Sequence, residues 1–232
     1  MNNFQVSRNL VLAQINRACI SAHRLPSEVN LLAVSKTHPA ESIREMYAIG
    51  QYAFGENYLQ EALDKIDALQ DLAIEWHFIG HVQRNKTKHL AEKFAWVHGV
   101  DRLIIAERLS SQRQATQAPL NLCLQVNIDD QNSKDGCRPD EVADLVRAIS
   151  QLPYIKLRGL MVIPAPQHTA AFADAQRLFA EVSTAHCHPE DWDTLSMGMS
   201  ADLTEAIAAG ATWVRIGTAL FGTRTYSHQP QS

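Results

Sequence analysis

Eight short β-rich runs alternate with longer helical patterns along this 232-residue chain, and that alternation limits its possible folds. Strands are expected over 31–36, 52–54, 75–79, 96–100, 120–128, 157–163, 194–197 and 213–216, after an opening helix over 6–23. A helical pattern follows each strand, although the last, around Ala219-Leu220-Phe221, is a short turn. Strand–helix repetition of this kind predicts a parallel sheet with helical crossovers. Eight strands close a (β/α)₈ barrel, a TIM-type barrel, here with an extra N-terminal helix. The alternative is an open doubly wound sheet, which usually carries a Gly-rich turn after its first strand. Here that turn reads Lys36-Thr37-His38-Pro39, without glycine, so the barrel is the expected fold. One barrel uses nearly the whole chain, and a single domain over 1–232 is expected.

Composition excludes several function classes. Hydrophobic residues make up 46% and charged residues 20%, as in ordinary globular proteins. A net charge of −4, with one small basic cluster at Arg84, Lys86, Lys88 and His89, argues against nucleic-acid binding. The four cysteines form no C-x-x-C pair, and Cys123 sits in an apolar run as a small hydrophobe. The N-terminus has no signal-peptide pattern and no run is long enough to span a bilayer, so a cytoplasmic location is expected.

In a barrel of this kind the active face lies at the C-terminal ends of the strands. That rule selects Lys36, Asn57, Gly80-His81, Asn127, 161–164, 196–200 and 215–218. Lys36 closes the apolar run Leu31-Leu32-Ala33-Val34. Lysine seldom enters a core unpartnered, and burial lowers its pKa, so its amine can attack a carbonyl and form a Schiff base. The competing reading is a strand-end lysine whose ammonium reaches water.

The loops after strands seven and eight are the frequent phosphate site of the fold. Here they contain Gly198, Ser200, Gly217 and Thr218, which supply close backbone approach, N–H groups and hydroxyls. Ser200 also fits an N-cap, and Asn57-Tyr58-Leu59-Gln60 fits an N-cap followed by Gln at N3. Arg215 interrupts the apolar eighth strand and must face the barrel mouth or a buried acceptor. His77 and His81, four apart, would share a strand face without a metal-ligand set around them. No G-x-S-x-G hydrolase signature occurs.

A Schiff-base lysine beside a phosphate site points to a phosphorylated aldehyde, with pyridoxal 5′-phosphate (PLP) the obvious candidate. An arginine at the pyridine nitrogen would disfavour its protonation and weaken the ring as an electron sink.

These motifs resemble the pyridoxal phosphate homeostasis proteins, single-domain relatives of the alanine racemase barrel. The matching segments are Leu32-Ala33-Val34-Ser35-Lys36, Phe54-Gly55-Glu56-Asn57-Tyr58, Trp76-His77-Phe78-Ile79-Gly80, Gly159-Leu160-Met161, Leu195-Ser196-Met197-Gly198-Met199-Ser200, Val214-Arg215-Ile216-Gly217-Thr218 and Phe221-Gly222. The resemblance implies PLP held as an aldimine on Lys36. It also implies phosphate contacts from Ser200 and Gly217-Thr218, with Arg215 facing the pyridine nitrogen. It further implies a carrier or regulator of cofactor supply without established catalysis, and indirect effects on amino-acid metabolism. His38 stands where many relatives have a second lysine. Expected partners are PLP and apo-forms of PLP enzymes, with a monomeric state. The alternative function is an amino-acid racemase, which needs a second base from a further domain; the chain ends about ten residues after Gly222, too soon to encode one. A Schiff-base aldolase would need an acid near the imine, and no acidic strand-end residue obviously serves.

Overall fold

The computed structural model describes residues 3–129, 135–166 and 168–222. Eight parallel strands close into a barrel in chain order. They are β1 (Asn30–Val34), β2 (Ala53–Glu56), β3 (Glu75–Phe78), β4 (Trp96–Val100), β5 (Leu120–Val126), β6 (Ile155–Val162), β7 (Thr194–Ser196) and β8 (Trp213–Ile216). Closure is made by β1, which pairs with β2 on one side and β8 on the other, placing Leu32 opposite Arg215.

The helices are α1 (Asn3–Ser21), α2 (Ala40–Ala48), α3 (Leu59–Ala68), α4 (Thr87–Lys93), α5 (Leu103–Gln112), α6 (Val142–Ile149), α7 (Ala170–Val182), α8 (Leu203–Ala208) and α9 (Thr218–Phe221). The opening helix packs against α8 and α9. After it, Arg24 donates to the carbonyls of Ile207 and Ala211 at 2.9 and 2.7 Å, tying α1 to the end of α8. That end is a Schellman cap, with Gly210 at φ +95° and Ala211 N–H donating to Ala206 C=O at 2.9 Å.

The barrel expectation holds; β4 and β8 have the expected bounds, and the other six strands differ by one or two residues at one or both ends. The first strand ends at Val34, two residues before Lys36. His38 N–H donates to Ser35 C=O at 3.1 Å, so Lys36 and Thr37 form the centre of a turn. The fifth strand ends at Val126 because Asn127 N–H is taken by Cys137 C=O. Cys123 is fully buried, as its apolar setting implies.

Alternation along each strand sorts side chains between two cores. Leu31 and Ala33 of β1 and Val214 and Ile216 of β8 face the helices, within the large outer cluster. Leu32, Val34 and Trp213 pack inside the barrel with Ile79. Two steps on at the same parity come Lys36 from β1 and Arg215 from β8. The barrel floor is aromatic: His77 stacks on Trp96 at 5.4 Å and 5°, and lies 4.7 Å from Trp213.

Candidate functional site

A cavity of about 330 Å³ opens at the C-terminal ends of the strands. Its lining brings together all six residues expected to bind a cofactor: Lys36, Asn57, Ser200, Arg215, Gly217 and Thr218. Val34, Ile79, Ile163, Met199 and Ala201 supply apolar wall, and His38 sits at the rim, stacked on Phe221 at 4.8 Å. Among the described residues, Lys36 is the one lysine in this lining, and Lys36, His38 and Arg215 are its titratable groups.

Two glycines make the cavity walls possible. A Cβ on Gly80 would lie 2.4 Å from the Asn57 carbonyl oxygen, so only glycine lets the loop after β3 press against the β2 loop. Gly198 has φ +92°, and a Cβ there would sit 2.5 Å from Ala206 Cβ. This turns the chain from β7 toward Ser200, while Arg215 N–H donates to Gly198 C=O at 3.0 Å. The Cβ-free turn at Gly217 then leads into Thr218, first residue of α9, where N–H groups have no intrahelical partner.

The N-cap readings of Asn57 and Ser200 do not hold. The N-cap of α3 is Tyr58 and that of α8 is Asp202, whose carboxylate accepts from Met199 N–H at 2.6 Å. Asn57 Oδ1 is instead buried without a hydrogen-bond partner among the described residues. A buried acceptor in that state carries a desolvation cost of about 1–3 kcal/mol. Since Asn57 lines the cavity, a ligand donor reaching it would remove that cost. The residues present therefore fit a small phosphorylated aldehyde: one amine, one buried cation, one orphaned acceptor, and hydroxyls beside glycine turns.

Arg215 is buried on β8, with no ion-pair partner among the described residues. Its guanidinium donates to Ser196 C=O at 2.6 Å, Ser196 Oγ at 3.0 Å and Val162 C=O at 2.8 Å. The buried acceptors are thus two backbone carbonyls and a serine hydroxyl, and their capture binds β6, β7 and β8 together. Burial pushes its pKa down to about 10, so it remains a cation at neutral pH.

Behind Arg215 runs a polar column that the sequence did not announce. Ser196 Oγ lies 2.9 Å from His98 Nδ1, and His98 Nε2 lies 2.9 Å from His77 Nδ1. His77 Nε2 is 2.8 Å from Glu75 Oε1 at the opposite end of the barrel. One assignment satisfies every link: Arg215 donates to Ser196, Ser196 to His98, His98 to His77 and His77 to Glu75. Both histidines are then neutral. Burial lowers the pKa of His77, and burial with the neighbouring charges lowers that of His98 further. His81 lies beyond β3 with Nδ1 3.3 Å from Asp135, so it does not converge with His77. Among the described residues, no His/Cys/Asp/Glu group could hold a metal ion.

The column makes stability depend on pH. A histidine whose folded pKa lies below its unfolded value of about 6.5 binds its proton more readily in the unfolded chain. Stability is therefore complete above that value and falls as pH drops, by about 1.4 kcal/mol per pH unit for each such histidine. Burial raises the pKa of Glu56 and acts in the opposite sense. Urea unfolding between pH 7.5 and 5.5 should show the loss, and His98→Gln should reduce its slope. Equal slopes in the two proteins would remove His98 from the account.

Fold and cavity together define a parallel (β/α)₈ barrel with a lysine, a buried arginine and two glycine turns at one mouth. The family model described as alanine racemase, N-terminal domain, matches residues 13–225. A Pseudomonas aeruginosa protein named pyridoxal phosphate homeostasis protein is 55% identical over 222 residues, which span 93% of this chain and 94% of that one. The structure of PipY from Synechococcus elongatus with PLP bound superposes with a TM-score of 0.76 at 40% identity, covering 90% of this chain and 100% of that one. An alanine racemase of Clostridium difficile shares the fold alone, with a TM-score of 0.74 at 13% identity over 96% of this chain and 57% of that one. The chain belongs to the pyridoxal phosphate homeostasis protein family, within the alanine racemase N-terminal domain family.

Proposed function

We propose that this protein binds pyridoxal 5′-phosphate covalently through Lys36 and holds it for cofactor homeostasis, as a carrier and not as an enzyme. The observation that carries the reading is the convergence of Lys36, Arg215, Ser200, Gly217 and Thr218 on one cavity of about 330 Å³. That volume is within the range of small-molecule sites, roughly 300–1,000 Å³. When bound, the cofactor supplies an aldehyde that condenses with a deprotonated amine and releases water. Lys36 provides the amine, and Ser200 and Thr218 hydroxyls with the Gly217 turn hold the phosphate. Asn57 accepts from the ligand, and Arg215 faces the ring nitrogen. The PLP-bound PipY structure and the homeostasis name of the Pseudomonas relative support the same ligand.

Two features favour holding over turnover. Arg215 stays charged in the cavity wall, and a fixed cation at a pyridine nitrogen opposes its protonation. Racemisation needs proton removal on one face and delivery on the other. The other titratable groups in the described lining, Lys36 and His38, flank one turn. Residues 223–232, on which the missing-domain argument turned, lie outside the described residues.

The same proposal places the protein in the cytoplasm as a single-domain monomer that delivers PLP to apo-enzymes. No helix of the described residues is long and apolar enough to cross a membrane. Titrating the apo-protein with PLP should give one equivalent of lysine-linked absorbance, and loaded protein should reactivate an apo-form PLP enzyme. Incubation with L-alanine should yield no D-alanine. Rapid racemisation would replace the carrier reading with that of an enzyme.

A further inference from the structure

Lys36 sits in a strained turn, and one buried ionic cluster holds that turn from both sides. Thr37, the residue after it, has φ +67°. It occupies the third position of the Ser35–His38 turn, where a positive φ normally calls for glycine or asparagine. A β-branched residue there is an outlier, and such strain persists when surrounding contacts over-determine it. Thr37 is exposed, so packing of its side chain does not hold it.

The restraint is a hydrogen bond. Thr37 N–H donates to Glu61 Oε1 at 2.6 Å, across from the first turn of α3. The same oxygen lies 2.5 Å from Lys65 Nζ, which also reaches Glu56 Oε1 and Ser35 C=O, each at 2.8 Å. Ser35 Oγ donates to Glu56 Oε1 at 2.6 Å. Both backbone neighbours of Lys36 are therefore tied to one cluster: Ser35 through Lys65 and Glu56, Thr37 through Glu61. The Lys65 and Glu56 side chains are 6% and 0% exposed, so water does not compete for these bonds. Glu61 is 29% exposed, at the solvent edge of the cluster.

We infer that Glu61 is a positioning residue for Lys36: by holding the Thr37 amide, it fixes the left-handed turn that presents the lysine to the cavity. The inference rests on the reading of Lys36 as the cofactor-bearing residue. The Lys65–Glu56 pair keeps the cluster balanced when Glu61 is changed, so the fold can be retained while the clamp on Thr37 is released.

Three variants separate positioning from general support. Glu61→Ala removes the acceptor, Glu61→Gln removes the charge and keeps an acceptor oxygen, and Thr37→Gly in the Glu61→Ala background removes the strain. PLP affinity and the absorbance of the lysine-linked cofactor are read by titration, with thermal unfolding of the apo-proteins alongside. Glu61→Ala should weaken PLP binding about tenfold, or about 1.4 kcal/mol, and slow covalent attachment. Glu61→Gln and the double variant should each recover most of that loss, whatever the change in melting temperature. Wild-type affinity in Glu61→Ala would overturn the inference, as would failure of both compensating variants to recover binding. Borohydride reduction of the wild type, with mass mapping, keeps the two levels apart. Cofactor on Lys36 with no effect of Glu61→Ala sinks the positioning role alone, whereas no cofactor on Lys36 sinks the function and the inference together.

Discussion

Lys36→Ala should abolish borohydride trapping of PLP while leaving the barrel folded. Among the described residues, Lys36 is the one lysine lining the cavity. The next candidate, Lys65 on α3, reaches the same turn but is already committed. Its ammonium donates to Ser35 C=O, Glu56 and Glu61 within 2.8 Å, and its side chain is almost fully buried. An amine whose three donors are spent on these acceptors, and which does not line the cavity, is not placed to attack a carbonyl held there. Lys36 lies at the centre of a turn that carries it past the last inward residue of β1 and into the cavity lining. It is half-buried and lines the cavity, outside the apolar core, so stability should change by about 1 kcal/mol or less. The wild type, reduced with borohydride and digested, should carry the cofactor mass on the peptide containing Lys36. The variant should carry none, and its far-UV spectrum should match the wild type. Undiminished trapping in Lys36→Ala, or label on the Lys65 peptide, would move the covalent site elsewhere.

The barrel could be read from the chain because its strands are buried on both faces, and a strand buried on both faces is a continuous apolar run. The run from Leu120 to Val126 is the clearest case, and in the fold all but one of its residues are buried. Edges were harder, since they depend on partners. Nothing local in Ser35-Lys36-Thr37 says that the strand stops at Val34; the Glu61 carboxylate, from another element, sets the turn. The candidate site was legible for a geometric reason. Loops after parallel strands all emerge at one end of a closed barrel, so naming the strand ends nearly names the cavity lining.

What stayed hidden are the polar groups whose partners lie far away in sequence. His98 meets Ser196 across 98 residues, and Lys65 meets Ser35 across 30. Glu61 and Lys65, four apart on α3, look like an ordinary surface pair; closure of the β1 turn above them is what buries the lysine. One available signal was parity. Once a barrel is assumed, every second strand residue points inward, and that parity collects His77, His98, Ser196 and Arg215 without any contact being known.

Arg215→Met should cost about 3 kcal/mol of stability and weaken PLP binding in the same protein. The guanidinium makes three hydrogen bonds that join β6, β7 and β8. Methionine fills similar volume but donates to none of them. It leaves the Val162 and Ser196 carbonyls buried without this donor, at about 1–3 kcal/mol for each acceptor left unmet. Against that loss stands the cost of burying a cation, visible in the pKa lowered to about 10. That lowering still leaves the side chain protonated at neutral pH. The cation is therefore tolerated because its donors are met, and the unmet carbonyls dominate in the variant. For a chain of this size, about 3 kcal/mol corresponds to a melting temperature lower by roughly 6–12 °C. Arg215→Lys keeps the charge but presents a point donor in place of a planar fork, and should recover part of the stability. The functional consequence follows from the same atoms. With the guanidinium gone, the ring-nitrogen side of the cavity loses its fixed cation, so the absorbance of bound cofactor should shift and its pH dependence should change in Arg215→Met. A variant with wild-type spectrum and affinity would show that Arg215 serves the barrel alone, as the strap across three strands, and that the ring nitrogen is held by something else.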